Sequence, residues 1–236
     1  MNTFEEYIST NCLSIDELLG GGIPRGQVTL IYGESHVGKT TFSLQCSISA
    51  CRKGFIVLYF DCENGFSIDR LKQISFNEKV SAESQFIYSN ILVSKPKTFH
   101  EQSILIQNLE KYISNKLILI VIDTISSIYR LELESSDSIF ILNRGLNFQL
   151  ACLNQLAKHY NLAILLTSQV HTKIGEQESK KIEPVATRIS EFWSQNIIHM
   201  TFNDEKSLRK IILEKYFDDS KLGSFCFVKL DKNGLI

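Results

Sequence analysis

Three kinds of residue in this chain have the types and spacing to handle phosphate chemistry. The first is the run Gly33-Glu34-Ser35-His36-Val37-Gly38-Lys39-Thr40. It follows the apolar, β-branched stretch Val28-Thr29-Leu30-Ile31-Tyr32 and precedes a helix-compatible segment. This is the strand–loop–helix setting in which G-x-x-x-x-G-K-[ST] binds phosphate. Gly33 and Gly38 lack the Cβ that would block a close backbone approach. Successive N–H groups and a helix N-terminus then point at the anion. Lys39 would meet the β- and γ-phosphates, and the Thr40 hydroxyl would hold Mg²⁺. The nucleotide-contacting segment is therefore expected at Gly33, Glu34, Ser35, His36, Val37, Gly38, Lys39, Thr40 and Thr41. The His36 side chain sits at a variable position and is given no role.

The second kind is acidic. Asp123 ends the apolar run Leu117–Ile122, where a strand-end carboxylate can hold Mg²⁺ directly or through water. Glu63 lies just past a second apolar run, in Phe60-Asp61-Cys62-Glu63-Asn64-Gly65. A carboxylate there can take a proton from an attacking water, and the other reading is a solvated loop glutamate. The third kind is an amide. Gln169 ends Leu166-Thr167-Ser168 and can hydrogen-bond a γ-phosphate or its water, so that hydrolysis could move the following loop. Lys39, Glu63 and Gln169 form the expected catalytic set.

These residues need parallel strands ending at one sheet edge, where α/β proteins bind ligands. Strands are expected at Val28–Tyr32, Phe55–Asp61, Phe86–Val93, Lys116–Thr124 and Leu162–Ser168. Helices are expected at 40–53, in part of 71–85, at Glu101–Ser114 and at Ile139–Tyr160. A short lead helix, Ser14–Leu19, would be capped by Ser14 with Glu17 in the capping-box position and ended by Gly20. The continuous run Leu117–Ile122 suits a parallel strand covered on both faces. Beyond residue 168 only strands are expected, at Ile197–Asn203, Leu208–Lys215 and Ser224–Leu230. The fold class is α/β, with a mainly parallel central sheet flanked by helices and an antiparallel C-terminal extension, in one domain spanning residues 1–236.

The 236 residues carry 44% hydrophobic and 22% charged side chains and a net charge of −1. That is ordinary globular composition, with no global basic field. Nucleic-acid contacts would have to be local. Six cysteines, with no C-x-x-C pair, argue against zinc and read as reduced thiols. The longest wholly apolar run is far too short for a membrane span. The acidic N-terminus lacks a signal-peptide core. A soluble, cytoplasmic protein is expected.

The chain also resembles a known family. The resemblance rests on Leu18-Leu19-Gly20-Gly21-Gly22-Ile23-Pro24-Arg25-Gly26, the phosphate loop, Asp61–Phe66, Asp69-Arg70-Leu71, Ile120–Thr124, Ile128-Tyr129-Arg130, Thr167–Val170, Glu183-Pro184 and Lys215–Asp218. It is to the ATPase core of the RecA/RadA recombinases, and most of all to their archaeal RadB branch, which has that core without an N-terminal helix-hairpin-helix domain. It covers about residues 10–236. It implies ATP and Mg²⁺ as cofactors, Glu63 as the residue polarising water, and Arg70 stacking on adenine, which suits a guanidinium plane. It further implies DNA-facing loops at Tyr129–Asp137 and Val170–Thr187, and Gln169 linking the γ-phosphate to the second. DNA contacts would fall on Arg130, Lys173, Lys180, Lys181 and Arg188. Single-stranded or branched DNA, repair proteins and other copies of the chain become the expected partners.

The chain departs from the pattern in two places. The first loop is acidic after Arg130 (Leu131-Glu132-Leu133-Glu134-Ser135-Ser136-Asp137), which repels phosphates. After Pro184, Val185-Ala186 stands where recombinases carry Gly-Gly. The expectation is weak ATPase and DNA binding in a mediator or regulator rather than a strand-exchange enzyme. A KaiC-like switch ATPase, which shares the 18–26 opening, and a non-catalytic assembly subunit remain as alternatives.

Overall fold

A computed structural model describes residues 6–75, 82–135, 139–174, 180–184, 186–205 and 207–236. In chain order the elements are β1 (Tyr7–Ile8), α1 (Leu13–Leu19), β2 (Ile23–Pro24), β3 (Val28–Gly33), α2 (Lys39–Arg52), β4 (Ile56–Asp61), α3 (Ile68–Ile74), α4 (Ala82–Ser89), β5 (Ile91–Ser94), α5 (Phe99–Gln107), a 3-10 turn (Leu109–Tyr112), β6 (Leu117–Asp123), α6 (Ser127–Ser135), α7 (Ile139–Tyr160), β7 (Ala163–Ser168), β8 (Val170–Ile174), β9 (Lys180–Pro184), α8 (Thr187–Trp193), β10 (Asn196–Phe202), β11 (Leu208–Lys215), a 3-10 turn (Asp219–Lys221), β12 (Phe225–Asp231) and β13 (Gly234–Leu235).

The main sheet has nine strands in the order β13-β12-β11-β10-β3-β7-β6-β4-β5. From β10 to β5 the pairings are parallel, and β10-β11-β12-β13 are antiparallel. Every residue of β3, β6 and β7 is buried. Helices cover both faces there, so the strand sequences need not alternate. One face packs on α1, α2, α3 and α4 through residues such as Leu19, Phe42, Ile48, Leu71 and Ile87. The other packs on α5 and α7 through Ile106, Leu142, Leu146, Leu150 and Leu153, with Ile189 and Trp193 of α8 at its margin.

Several local expectations need correcting. The lead helix starts at Leu13 with Cys12 as its N-cap, and no side chain bonds the cap. Asp16 organises that end instead. Its carboxylate accepts from the Thr10 N–H (2.7 Å), the Thr10 hydroxyl (2.7 Å) and the Ser9 hydroxyl (2.5 Å). Gly20 ends the helix in the left-handed conformation, as expected. Phe86–Ser89 belong to helix α4, and the strand occupies only Ile91–Ser94. The helix expected through Ser114 stops at Gln107 and tightens into the 3-10 turn. The expected all-strand region after residue 168 contains α8. The expected first DNA-facing loop is helical through Ser135, as part of α6, and its remaining residues 136–137 lie outside the described ones.

Candidate functional site

The phosphate loop is held on its inner side by backbone proximity and by one arginine. A Cβ on Gly33 would stand 2.1 Å from the carbonyl oxygen of Met200 on the adjacent β10, so only glycine fits. Gly38 takes φ 122° as the N-cap of α2, and His36 takes φ 62°. Val37 is buried, and its carbonyl accepts from Nε of Arg209 on β11 at 2.9 Å. The Arg209 guanidinium also lies 4.7 Å over the Phe202 ring. Nothing in the phosphate-loop motif signals Arg209. Its parity does. It shares a strand face with Ile211 and Leu213, both buried, so a charge is directed inward where only a specific acceptor would hold it.

Lys39 opens α2 and is buried, with Nζ donating to the carbonyls of Gly33 and Glu34, both at 2.8 Å. Burial lowers its pKa, while Glu63, Asp123 and Glu34 oppose that shift. Asp123 ends β6 and is buried, 4% exposed as a residue. It accepts from the Tyr59 hydroxyl of β4 (2.7 Å) and the Thr167 hydroxyl of β7 (2.5 Å). The same bond and the burial of Tyr59 push the phenol well above its ordinary pKa, burial being the larger cause.

Glu63 Oε1 accepts from the Thr124 hydroxyl at 2.9 Å and from Gln169 Nε2 at 2.8 Å. Asp61 shapes this turn. Its carboxylate accepts from the N–H groups of Gly65 (2.8 Å) and Phe66 (3.2 Å) and pairs with Lys95 at 2.9 Å. The loop thus leaves β4 in a tight bend that presents Glu63 beside the ends of β6 and β7. A cleft of about 370 Å³ is lined by Ser35, His36, Gly38, Lys39, Thr40, Thr41, Glu63, Gly65, Asp123, Thr124, Gln169 and Leu230. Of the residues expected from sequence to meet phosphate, metal and water, Ser35, His36, Gly38, Lys39, Thr40, Thr41, Glu63, Asp123 and Gln169 line this cavity, and Gly33, Glu34 and Val37 do not.

Arg70 sits at its rim. The guanidinium donates to Thr41 Oγ1 (3.3 Å), to Gln73 Oε1 (3.1 Å) and to the carbonyls of Asp231 (3.3 Å) and Lys232 (2.7 Å). The C-terminal hairpin is in turn fixed to α2, because Gln45 exchanges hydrogen bonds with the backbone of Leu235 at 3.0 and 2.8 Å. Leu230 at the cleft and Arg70 beside it are both positioned by this hairpin, which sequence reasoning treated only as sheet extension.

The expected DNA-binding residues divide. Strands β8 and β9 form an antiparallel hairpin directly after Gln169, with Lys173 opposite Lys181 and Ile174 opposite Lys180. Arg188 is exposed in the first turn of α8. Arg130 is exposed on α6 rather than on a loop. Glu176 and Glu178, in the expected second loop, lie outside the described residues. Among the described residues no cluster of three or more His, Cys, Asp or Glu side chains could cage a metal, and no helix is long and apolar enough to cross a membrane.

The inward Arg209 gives a direct test of how the loop is held. Arg209→Ala leaves the buried Val37 carbonyl without this donor, a loss of about 1–3 kcal/mol. Urea unfolding is expected to show that destabilisation, and titration calorimetry a several-fold weaker nucleotide affinity. Affinity equal to that of the parent would show that the arginine does not shape the loop.

Comparison with known proteins bears on the family and the fold. The family model described as Rad51 matches residues 6–212. The DNA repair and recombination protein RadB of Methanococcus maripaludis (strain C7) is 36% identical over 223 residues, covering 94% of this chain and 96% of the relative. RadB of Methanococcoides burtonii is 33% identical over 200 residues, covering 85% of each. A crystal structure of the RadB recombinase superposes with a TM-score of 0.79 at 28% identity, covering 97% of this chain and 98% of that one. The fold is RecA-like, and members of this family are nucleotide-binding ATPases. The chain belongs to the Rad51 family and, within it, to the RadB DNA repair and recombination proteins.

Proposed function

We propose that this chain is a slow, Mg²⁺-dependent ATPase that binds DNA through the β8–β9 hairpin and acts beside a strand-exchange enzyme rather than as one. The observation that carries this reading is the Thr124–Glu63–Gln169 hydrogen-bonded set. It joins the phosphate cleft to the first residue before the hairpin. Lys39 would trade its loop carbonyls for the β- and γ-phosphates. One threonine hydroxyl, Thr40, and one carboxylate, Asp123, suit Mg²⁺, which is held by few protein oxygens together with nucleotide phosphates. Bound there, Mg²⁺ would neutralise charge on the transferred phosphoryl group.

Glu63 is placed to accept the proton of the attacking water. Its Oε1 already accepts two hydrogen bonds, so an attacking water would have to compete with Thr124 and Gln169 for that oxygen. That competition supports slow turnover. Gln169 would exchange Glu63 for the γ-phosphate or its water, changing the constraint on β8. Arg70 would lie against the adenine. Lys173, Lys180, Lys181 and Arg188 would supply the phosphate contacts of DNA, and Arg130 a further one from α6. The acidic Glu132 is turned to structural use, since it accepts from the N–H of Phe99 at 2.8 Å. With acidic side chains following Arg130, the α6 segment is a poor second DNA strand site, which favours an accessory role over strand exchange.

Two experiments test the reading. Glu63→Gln is expected to keep ATP bound while turnover falls by about 10²-fold or more, the usual scale for a lost general base. Turnover equal to the parent would remove Glu63 from that role. Lys180→Ala with Lys181→Ala is expected to lower the slope of log affinity against log salt for single-stranded DNA by about 1.4, two lost phosphate contacts. An unchanged slope would place DNA elsewhere.

A further inference from the structure

Among the described residues, the antiparallel extension has one sheet face on which no helix packs closely. Residues Ile211, Leu213, Val228 and Cys226 point to the α1–α2 side and join that core. The alternate residues point the other way. Register aligns them in three rows: Tyr32, His199, Ile212 and Phe225; then Thr201, Lys210 and Phe227; then Leu208 and Lys229. Ile212, Phe225 and Phe227 belong to neither hydrophobic core. Among the described residues, the helix that packs closely on β12 is α1, on the opposite face.

This face combines aromatic rings and cations. Phe225 is 51% exposed and Phe227 48% exposed, and their rings meet edge to face at 5.6 Å. Nζ of Lys210 lies 4.2 Å over the Phe225 ring. Lys229 is exposed two residues beyond Phe227 on the same strand face. The carboxylate of Glu214 is engaged at the buried end, where it accepts from Tyr32 Oη at 2.6 Å and pairs with His199 Nδ1 at 3.3 Å. The acidic Asp204 and Glu205 lie in the β10–β11 turn, off the strands.

Exposed rings spaced by two on a strand, flanked by lysines, match the needs of an unpaired nucleic-acid strand. Every base has a π-face for stacking, and each ammonium can neutralise a phosphate. A duplex hides its base faces, so the rings select a single strand. We infer that the β11–β12 face is a second nucleic-acid surface, on which bases of a single strand stack on Phe225 and Phe227 while Lys210 and Lys229 contact phosphates. It is separate from the β8–β9 hairpin and rests on the preceding reading only for the class of partner.

The test is fluorescence anisotropy with a labelled oligothymidine and an abasic strand of equal length, over a salt series. Phe225→Ala with Phe227→Ala is expected to weaken oligothymidine binding at least ten-fold, to leave the salt slope unchanged, and to erase the preference over the abasic strand. Phe227→Trp, which keeps a ring, is expected to bind as the parent does, and circular dichroism checks folding of each. Lys210→Gln with Lys229→Gln is expected to lower the slope by about 1.4. Unchanged affinity in the double alanine variant, with weakened binding in the Lys180/Lys181 variant, would overturn this surface and leave the hairpin reading standing. Loss of self-association in sedimentation, with oligothymidine affinity unchanged, would overturn it by making the face a contact between copies. No binding of the parent to either strand would overturn both readings.

Discussion

The site depends on one buried carboxylate. Asp123 takes a hydroxyl from β4 and a hydroxyl from β7, and so ties together the ends of three adjacent parallel strands. A charge so enclosed is tolerable only if hydrogen-bonded and offset by an opposite charge. Tyr59 and Thr167 supply the bonds, and the field of Asp123 helps keep the buried Lys39 protonated. Asp123 and the strand ends are therefore positioned by the same contacts, while Lys39 is held by the Gly33 and Glu34 carbonyls within the field of that acid. The paired residues Asp61 and Asp123 stand in register at the ends of β4 and β6. Asp61 spends its oxygens on the turn that carries Glu63, and Asp123 faces the cleft.

The antiparallel extension acts on the same cleft from the other side. Through Met200, β10 sets the closeness that makes Gly33 necessary, and through Arg209, β11 holds the loop at Val37. The β12–β13 hairpin holds Arg70 and places Leu230 on the cleft wall. A region that looks like simple sheet enlargement thus forms the outer wall of the cleft. The Thr124–Glu63–Gln169 set closes the cleft on the side of the β8–β9 hairpin. At the base of that hairpin, where Pro184 pairs with Val170, Ala186 caps α8 with φ 54°, a left-handed conformation that glycine would enter at less cost.

Much of this was legible in residue order. The phosphate loop, Asp123, Glu63 and Gln169 each follow an apolar run, and parallel strands bring such ends together. The Leu117–Ile122 run could only be a strand covered on both faces. Other elements misled for physical reasons. Phe86-Ile87-Tyr88 are good strand formers, but Ser84, Ile87 and Ile91 are the positions buried, and tertiary packing chose a helix up to Ser89. Helix α8 is short. Its signal was the spacing of Ile189, Ser190 and Trp193, hidden by a polar start. Asp16 outcompeted Ser14 at the lead helix because it reaches back to Thr10 and Ser9, contacts invisible to a capping rule. Arg70 was recognisable, yet its carbonyl partners at Asp231 and Lys232 lie 161 and 162 residues away and no local pattern records them.

On the proposed function, nucleotide state in the cleft reaches the β8–β9 hairpin through Gln169. The most direct test is amide hydrogen exchange across Val170–Ile174 and Lys180–Pro184, with Mg²⁺ and either ADP or a non-hydrolysable ATP analogue. Different protection is expected in the two states, and no difference in Gln169→Ala. Equal protection with both nucleotides in the parent protein, at saturating occupancy, would contradict it.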